Sequence, residues 1–208
     1  MKVFFLLVSL LACAGASAQL RLDASARFGR SSVKFFYSGG FAHGLHSWDG
    51  RLSVGGDVRI GYELPLGFGV YSGGSYDFFR TFGSEPPIIG LADADRRSAL
   101  FKFHFLTVPL LAEYRFLRNI VRPYGGIGAA FLLGGRDNYL ERMYSNYAKF
   151  HYRTATPSLL FGVNLEYRRM ILGLAVRRDL APFWEDAHYF HCSWKARLVS
   201  ARLGFRIF

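Results

Sequence analysis

The feature that most constrains this fold is a two-residue alternation between apolar and charged side chains over residues 51–64. One phase holds Leu52, Val54, Val58, Ile60, Tyr62 and Leu64, and the other holds Arg51, Asp57, Arg59 and Glu63. Because successive side chains of a β-strand point to opposite sides, this pattern predicts a strand with one apolar and one charged face. The function depends on which of these two faces meets water.

The N-terminus is predicted to be a secretory signal peptide spanning residues 1–18. Residues 3–11 form an apolar run that is too short to span a bilayer, and Ala-Ser-Ala at 16–18 is a typical cleavage site. The mature chain, residues 19–208, is expected to form one domain. An alternative stays open, because the sequence around Cys13 loosely matches a lipoprotein box that would leave an acylated cysteine at the new terminus.

Composition excludes several classes of protein. No later run of about 20 apolar residues is present, so no transmembrane helix is predicted. Cys192 is the one cysteine after the signal, which leaves an exported protein without an intramolecular disulfide. The formal net charge is +11, but the arginines are scattered along alternating positions instead of forming blocks. The predicted export and the dispersed positions of the arginines together argue against nucleic acid as a partner.

The same alternation recurs along the chain and predicts eight strands. They are residues 21–29, 51–64, 68–82, a segment ending at 106–116, 123–134, 157–168, 171–180 and 194–208. Within the fourth strand Pro109 has no N–H to donate, which predicts a bulge or a locally irregular pairing.

Short and long connections alternate between these strands. The short ones are residues 65–67, 117–122 and 169–170, and the long ones are residues 30–50, 83–100, 135–156 and 181–193. In an up-and-down barrel this places all short turns at one rim and all long loops at the other, as in transmembrane β-barrels of the bacterial outer membrane. The predicted fold is therefore all-β: an eight-stranded antiparallel up-and-down transmembrane β-barrel with both termini in the periplasm.

The structural rival is a soluble eight-stranded barrel, whose strands alternate in the same way with the apolar phase turned inward. Aromatic residues near the strand ends favour the membrane barrel, because they fit a girdle at the membrane interface. These residues are Tyr62, Phe68, Tyr114, Phe116, Tyr124, Tyr167 and Phe205.

Two adjacent segments carry a family resemblance. The segments LTVPLLAEYRF at 106–116 and RPYGGIGAA at 122–130, with weaker support from 161–167 and 201–208, resemble the PorT-like outer membrane β-barrel family common in Bacteroidetes. The resemblance implies an eight-stranded barrel in the outer membrane. The family's named member is tied to a gliding and protein-secretion apparatus, whereas most members have no defined activity.

If the apolar phase faces lipid, the charged phase must fill the lumen. The predicted lumen residues are Asp23, Arg27, Asp57, Arg59, Glu63, Glu113, Arg115, Glu166, Arg168, Arg177, Asp179, Arg202 and Arg206. An eight-stranded barrel is just wide enough for side chains to fill it, so these charges are expected to pair and plug it. The alternative is a small passive channel selective for anions.

Histidines and a cysteine are the residues that could carry chemistry. They are His43, His46, His104, His151 and the cluster His188-Tyr189-Phe190-His191-Cys192. None lies in a catalytic motif, and a metal site at His188, His191 and Cys192 would require a turn, because adjacent residues of an extended chain point apart. We predict no catalytic residue, no cofactor and no metal.

The long loops are the expected working surface. Loop one carries Phe35, Phe36, Tyr37, Phe41 and Trp48, and loop three carries Arg136, Asn138, Tyr139, Arg142, Tyr144, Asn146, Tyr147, Lys149, Phe150 and Tyr152. Aromatics beside arginine favour contact with protein or glycan, including envelope or secretion proteins. The alternatives are that these residues pack on one another or touch lipopolysaccharide phosphates. The predicted function is that of an integral outer membrane protein with a structural or interaction role, not an enzyme.

Overall fold

A computed structural model describes residues 19–39, 42–64, 67–84, 98–117, 120–137, 155–186 and 191–208. Within these residues the fold consists of nine β-strands. The strands are β1 (Gln19–Gly39), β2 (Ala42–Glu63), β3 (Phe68–Ser84), β4 (Ser98–Tyr114), β5 (Val121–Asp137), β6 (Thr156–Tyr167), β7 (Met170–Asp179), β8 (Trp184–Asp186) and β9 (His191–Arg206). The described residues contain no helix that is long and apolar enough to cross a membrane.

The strands close into an eight-stranded antiparallel barrel. Strands β1 to β7 pair in chain order, β9 follows β7, and β9 also pairs with β1 to close the cylinder. Strand β8 adds three residues to the outer end of β9 through the pairs Trp184–Trp194 and Asp186–Cys192. The predicted fold is confirmed.

The apolar phase faces outward and the charged phase faces inward. On β2, Val58 is 52% exposed whereas Arg59 is 6% exposed, and the same alternation runs along β6 and β7. An exposed band of leucine, valine and phenylalanine around a charged interior has the polarity of a protein dissolved in lipid. The arrangement excludes the soluble barrel, which would bury the apolar phase.

Three tight connections lie at one rim, as predicted. The turn between β6 and β7 has two residues, and the links β2–β3 and β4–β5 have only a few. In the β2–β3 link, Gly67 takes a φ of 86°, a conformation that glycine adopts at little cost. Its N–H donates to the oxygen of Leu64 at 3.2 Å.

The predicted long loop over residues 30–50 is wrong. Strand β1 runs to Gly39 and β2 starts at Ala42, and the two remain paired from Ser32 with Asp49 to the tip. The sequence pattern did not show this, because the apolar–charged alternation of the membrane strands is not continued through residues 30–50. The backbone hydrogen bonds of the hairpin hold the strands without it.

The other three long loops are shorter than predicted. Strand β3 extends to Ser84, β4 starts at Ser98, β5 extends to Asp137, and β8 occupies part of the last loop. The signal peptide lies outside the described residues, so its cleavage and the alternative acylation remain predictions.

Pro109 interrupts pairing on one side only. It pairs with Gly128 of β5 in regular register. On the β3 side, Ser72 pairs with Leu110 and the next pair is Ser75 with Thr107, so the ladder is interrupted over two residues of each strand without a change of register. The locally irregular pairing, one of the two predicted alternatives, is confirmed. A separate register shift lies in the β4–β5 pair between His104 and Phe105.

Candidate functional site in the barrel lumen

Most of the predicted lumen residues do fill the lumen. Ten of them are buried: Asp23, Arg27, Asp57, Arg59, Glu63, Glu113, Glu166, Arg177, Asp179 and Arg202. Arg115 and Arg206 sit at the periplasmic mouth, with side chains that are 17% and 25% exposed. The strands place them there because every second residue of a strand points inward.

The prediction that Arg168 faces the lumen is wrong. The residue lies in the two-residue turn after β6 with a φ of 56°, and its side chain is exposed. Its guanidinium lies 5.6 Å from the ring centre of Tyr167. The turn breaks the strand alternation one residue earlier than predicted.

The prediction that Tyr124 belongs to the interfacial girdle is also wrong. Its side chain is buried in the lumen against Arg59.

The lumen also holds polar residues that the sequence did not predict, among them Arg21, Asp77, Arg122 and Asn164. Arg21 and Asn164 lie in the inward phase and could have been found by extending the alternation. Arg122 was assigned to a turn, and Asp77 lies on the glycine-rich β3, where the phase is difficult to follow.

The layer nearest the periplasm is organised by the carboxylate of Glu63. It accepts hydrogen bonds from Arg21 Nη1 at 2.6 Å, from Arg115 Nη1 at 3.3 Å and from Tyr71 Oη at 3.0 Å. Arg122 Nη1 also donates to it. Four donors from β1, β3 and the β4–β5 region therefore meet on one carboxylate.

Glu166 and Glu113 complete this layer. Arg21 Nη2 lies 3.0 Å from Glu166 Oε2 and Arg122 Nε lies 2.8 Å from the same oxygen, while Arg206 contacts the other oxygen. Glu113 lies 3.2 Å from Arg122 Nη1. These are charge-assisted contacts between fixed strands, so they hold the barrel cross-section in one geometry.

The middle layer is organised by Asp57. Arg202 Nη2 lies at 2.9 Å and Arg59 Nε at 3.0 Å from Oδ2, and Ser25 Oγ donates to Oδ1 at 2.8 Å. The Arg59 guanidinium lies 4.7 Å from the ring centre of Tyr124. This layer joins β1, β2, β5 and β9 across the lumen.

The next layer outward is built around Asp77. Arg27 Nη2 lies 2.6 Å from Oδ1 and Arg177 Nη1 lies 3.3 Å from Oδ2. Arg177 also lies 3.5 Å from Asp179, whose carboxylate accepts from Ser158 at 2.9 Å. Arg27 Nε also lies 3.5 Å from Asp57 Oδ1, which joins the Asp77 layer to the middle one. Asn164 joins the middle and periplasmic layers, because it accepts from Arg202 and donates to Glu113, each at 3.2 Å. We call the three connected layers the ionic network.

A cluster of phenylalanines closes the lumen above the ionic network. Phe79, Phe103, Phe105 and Phe183 are all fully buried. Phe79 stacks on Phe105 with ring centres 5.2 Å apart, and Phe183 meets Phe103 and Phe105 edge-on at 5.3 and 5.4 Å. Phe183 comes from the segment after β7 and crosses the lumen to reach β4. We call these four residues the aromatic plug.

The plug and the ionic network are in direct contact. The Arg177 guanidinium lies 4.7 Å from the ring centre of Phe105, within range of a cation–π interaction. The sequence pattern could not reveal the plug, because phenylalanine in the inward phase violates the rule that polar residues face the lumen. Phe183 was in addition part of a segment predicted as loop.

The lumen charges are nearly balanced. Among the described residues the arginines are Arg21, Arg27, Arg59, Arg115, Arg122, Arg177, Arg202 and Arg206, and the carboxylates are Asp23, Asp57, Glu63, Asp77, Glu113, Glu166 and Asp179. Opposite charges in contact favour a rigid filling, because each of these guanidiniums already has a carboxylate beside it.

The candidate histidines and the cysteine that the structure describes lie on three strands. His104 faces outward on β4 and lies 2.5 Å from the hydroxyl of Tyr76. His43 and His46 lie on β2 and His191 and Cys192 on β9, while His151 and the segment 188–190 lie outside the described residues. Within the described part of the chain no three histidine, cysteine or carboxylate side chains group as metal ligands.

Comparison with known proteins places the chain in a family. A family model described as outer membrane protein beta-barrel domain matches residues 17–181. The chain belongs to this outer membrane β-barrel family. Family membership and the outward apolar band together support a location in the outer membrane. A search of curated proteins finds no match.

Several solved structures are similar at low sequence identity. Neisserial surface protein A aligns over 91% of this chain and 98% of its own, at 15% identity and a TM-score of 0.43. OprG of Pseudomonas aeruginosa aligns over 89% and 95%, at 11% identity and 0.49. The attachment invasion locus protein Ail of Yersinia pestis aligns over 88% and 98%, at 11% identity and 0.36.

Proposed function

We propose that this protein is a non-conducting, non-catalytic outer membrane barrel that serves as a structural or interaction platform. The observation that carries the proposal is the filled lumen. Three layers of paired charges and the aromatic plug occupy successive levels of the interior. A passing solute would have to separate buried ion pairs, which costs about 3–5 kcal/mol for each pair broken.

The part of the barrel available for interaction is the extension at the long-loop rim. The β1–β2 hairpin continues to Gly39 and Ala42, and β9 stays paired with β1 from Asp23 up to Ser38. A stable sheet thus projects beyond the apolar band. Its sequence contains Phe35, Phe36, Tyr37 and Trp48, residue types that are enriched at protein interfaces.

We infer that the partner is a protein of the cell envelope. The resemblance of residues 106–130 to PorT-like barrels supports a secretion apparatus as its setting, because the named member of that family is tied to one.

Conductance in planar bilayers tests the sealed lumen. The folded full-length barrel, verified by heat-modifiable gel mobility, is expected to give no stable current steps. A general porin inserted by the same procedure serves as the positive control. Large, stable, anion-selective steps from the barrel would establish the channel and refute the proposal.

Site-specific photocrosslinking in cells tests the platform. A photoreactive residue at Tyr37, near the hairpin tip, is expected to give discrete protein adducts. The same residue at Leu203, which is 52% exposed on the apolar band, is the matched control and is expected to give none. Equal adduct patterns at both positions, or none at either, would contradict a partner bound at the hairpin.

A further inference from the structure

The outward face of the barrel carries a set of cations at the outer edge of its apolar band. They are Arg30, Lys34, Arg80, Lys102, Arg178, Lys195 and Arg197, and we call them the basic collar. By contrast, every Asp or Glu whose side chain the structure describes points into the lumen. The described outward face is therefore positively charged at this level.

The cross-strand register brings collar residues of like charge face to face. Arg178 of β7 is directly opposite Arg197 of β9. Lys34 of β1 is directly opposite Lys195 of β9. Like charges in this position destabilise a sheet. Lys195 Nζ donates to the carbonyl oxygen of Leu180 at 3.1 Å, so the Arg178–Arg197 pair makes the stronger demand for an anion to neutralise it.

A third pair lies on the other side of the barrel. Arg80 of β3 is directly opposite Lys102 of β4. The Arg80 guanidinium lies 5.6 Å from the ring centre of Phe78, and the hydroxyl of Tyr76 contacts His104 nearby. Cations and amphipathic aromatics at one level are typical of a membrane interface.

The position of the collar matches the outer headgroup layer. Along β9 and the residue after it, the outward side chains from Val199 to Ile207 are apolar and exposed. Arg197 is the next outward residue beyond Val199 on the side of the long loops. Eight residue steps span about 26 Å along a strand, or about 20 Å of membrane thickness at a tilt of about 40°. The collar lies at the long-loop rim, which faces the cell exterior in barrels of this type.

We propose that the basic collar binds the phosphate groups of lipopolysaccharide in the outer leaflet. The side chains point sideways into the layer where such headgroups lie, and paired guanidiniums suit phosphate because they donate two parallel hydrogen bonds. This contact is independent of the platform at the hairpin tip. The barrel is thereby fixed in depth and surrounded by a defined lipid.

The test is binding of fluorescently labelled lipopolysaccharide to the folded full-length barrel in neutral detergent. The variants are Arg178→Gln with Arg197→Gln, and Arg80→Gln with Lys102→Gln. The control variant is Arg168→Gln with Arg169→Gln, which removes two exposed arginines from the opposite rim. Each collar variant is expected to bind about tenfold more weakly or worse, because it removes two of the cations that attract the anionic headgroups. The control is expected to keep wild-type affinity.

A second measurement uses the wild-type barrel and changes the ligand. Chemically dephosphorylated lipopolysaccharide is expected to bind about as weakly as intact lipopolysaccharide binds to the collar variants. Equal binding of intact and dephosphorylated lipid, or equal losses in the collar and control variants, would overturn the proposal. Displacement by inorganic phosphate alone, or equally tight binding of phosphatidylglycerol, would overturn the assignment to lipopolysaccharide.

Discussion

Removing the negative charge of Glu63 is expected to weaken the whole barrel. The periplasmic layer balances Arg21, Arg115, Arg122 and Arg206 against Asp23, Glu63, Glu113 and Glu166. Glu63→Gln keeps the shape of the side chain and leaves one cation without its counterion. The destabilisation therefore reports the electrostatic contribution of the network and not the loss of packing.

The size of the effect follows from the contacts of Glu63. Three arginines and the hydroxyl of Tyr71 donate to its carboxylate. A hydrogen bond to a charged group contributes about 1.5–3 kcal/mol, roughly twice a neutral one. In Glu63→Gln the three arginines donate to a neutral amide instead of a carboxylate, which weakens each hydrogen bond by about 1 kcal/mol. The substitution is therefore expected to lower the free energy of unfolding by about 3 kcal/mol. This value is at the lower end of the range for a broken buried ion pair, about 3–5 kcal/mol.

The assay is equilibrium urea unfolding in lipid vesicles, followed by tryptophan fluorescence and by gel mobility of unheated samples. Arg169→Gln, at an exposed turn position, is the control and is expected to have an effect below about 1 kcal/mol. Adding Arg115→Gln to Glu63→Gln is expected to restore part of the loss, because it removes the cation left without a partner. A Glu63→Gln effect no larger than that of the control would refute the view that paired charges hold the lumen together.

Three further changes test other parts of the fold in the same two assays. Gly162→Ala is expected to reduce the folded fraction sharply, because a Cβ there would lie 2.1 Å from a backbone oxygen of β7, whereas Gly74→Ala, with nothing within 4 Å, is expected to be neutral. Phe183→Ala is expected to cost about 3–5 kcal/mol by opening a cavity in the aromatic plug, and a cost below about 1 kcal/mol would show that the plug is loosely packed. Leu203→Arg is expected to cost about 2–4 kcal/mol within the apolar band and Ile207→Arg less near its edge, and an unchanged stability of Leu203→Arg would contradict lipid contact at that site.

The barrel was predictable from the sequence because the membrane imposes a strict pattern. Where lipid lies outside and charge lies inside, each strand must alternate, and positions such as Val58 and Arg59 show it directly. The sequence pattern does not predict the structure outside the membrane-spanning segments, because this constraint is absent there. The β1–β2 hairpin above the membrane has no need to alternate, and the turn at Arg168 leaves the strand geometry.

The lumen was predictable in kind but not in detail. Alternation identified Asp57 and Glu63 as inward residues, and opposite signs in a narrow space predicted pairing. Which arginine meets which carboxylate depends on the register between strands that are distant in sequence, as for Arg202 and Asp57. The aromatic plug could not be predicted, because Phe183 comes from a connecting segment. The other plug residues are apolar in the inward phase, where the alternation predicts polar residues.

The membrane location and the sealed lumen both depend on the direction in which the two phases of each strand point, and adjacent nitroxide labels on β7 measure this direction. Leu174→Cys and Ala175→Cys, each with Cys192→Ser, place a spin label on opposite faces of one strand, since Leu174 is 59% and Ala175 is 6% exposed. In lipid vesicles we expect dissolved oxygen to relax the label at 174 strongly and the label at 175 weakly. Strong relaxation at 175 together with weak relaxation at 174 would contradict the outward apolar phase.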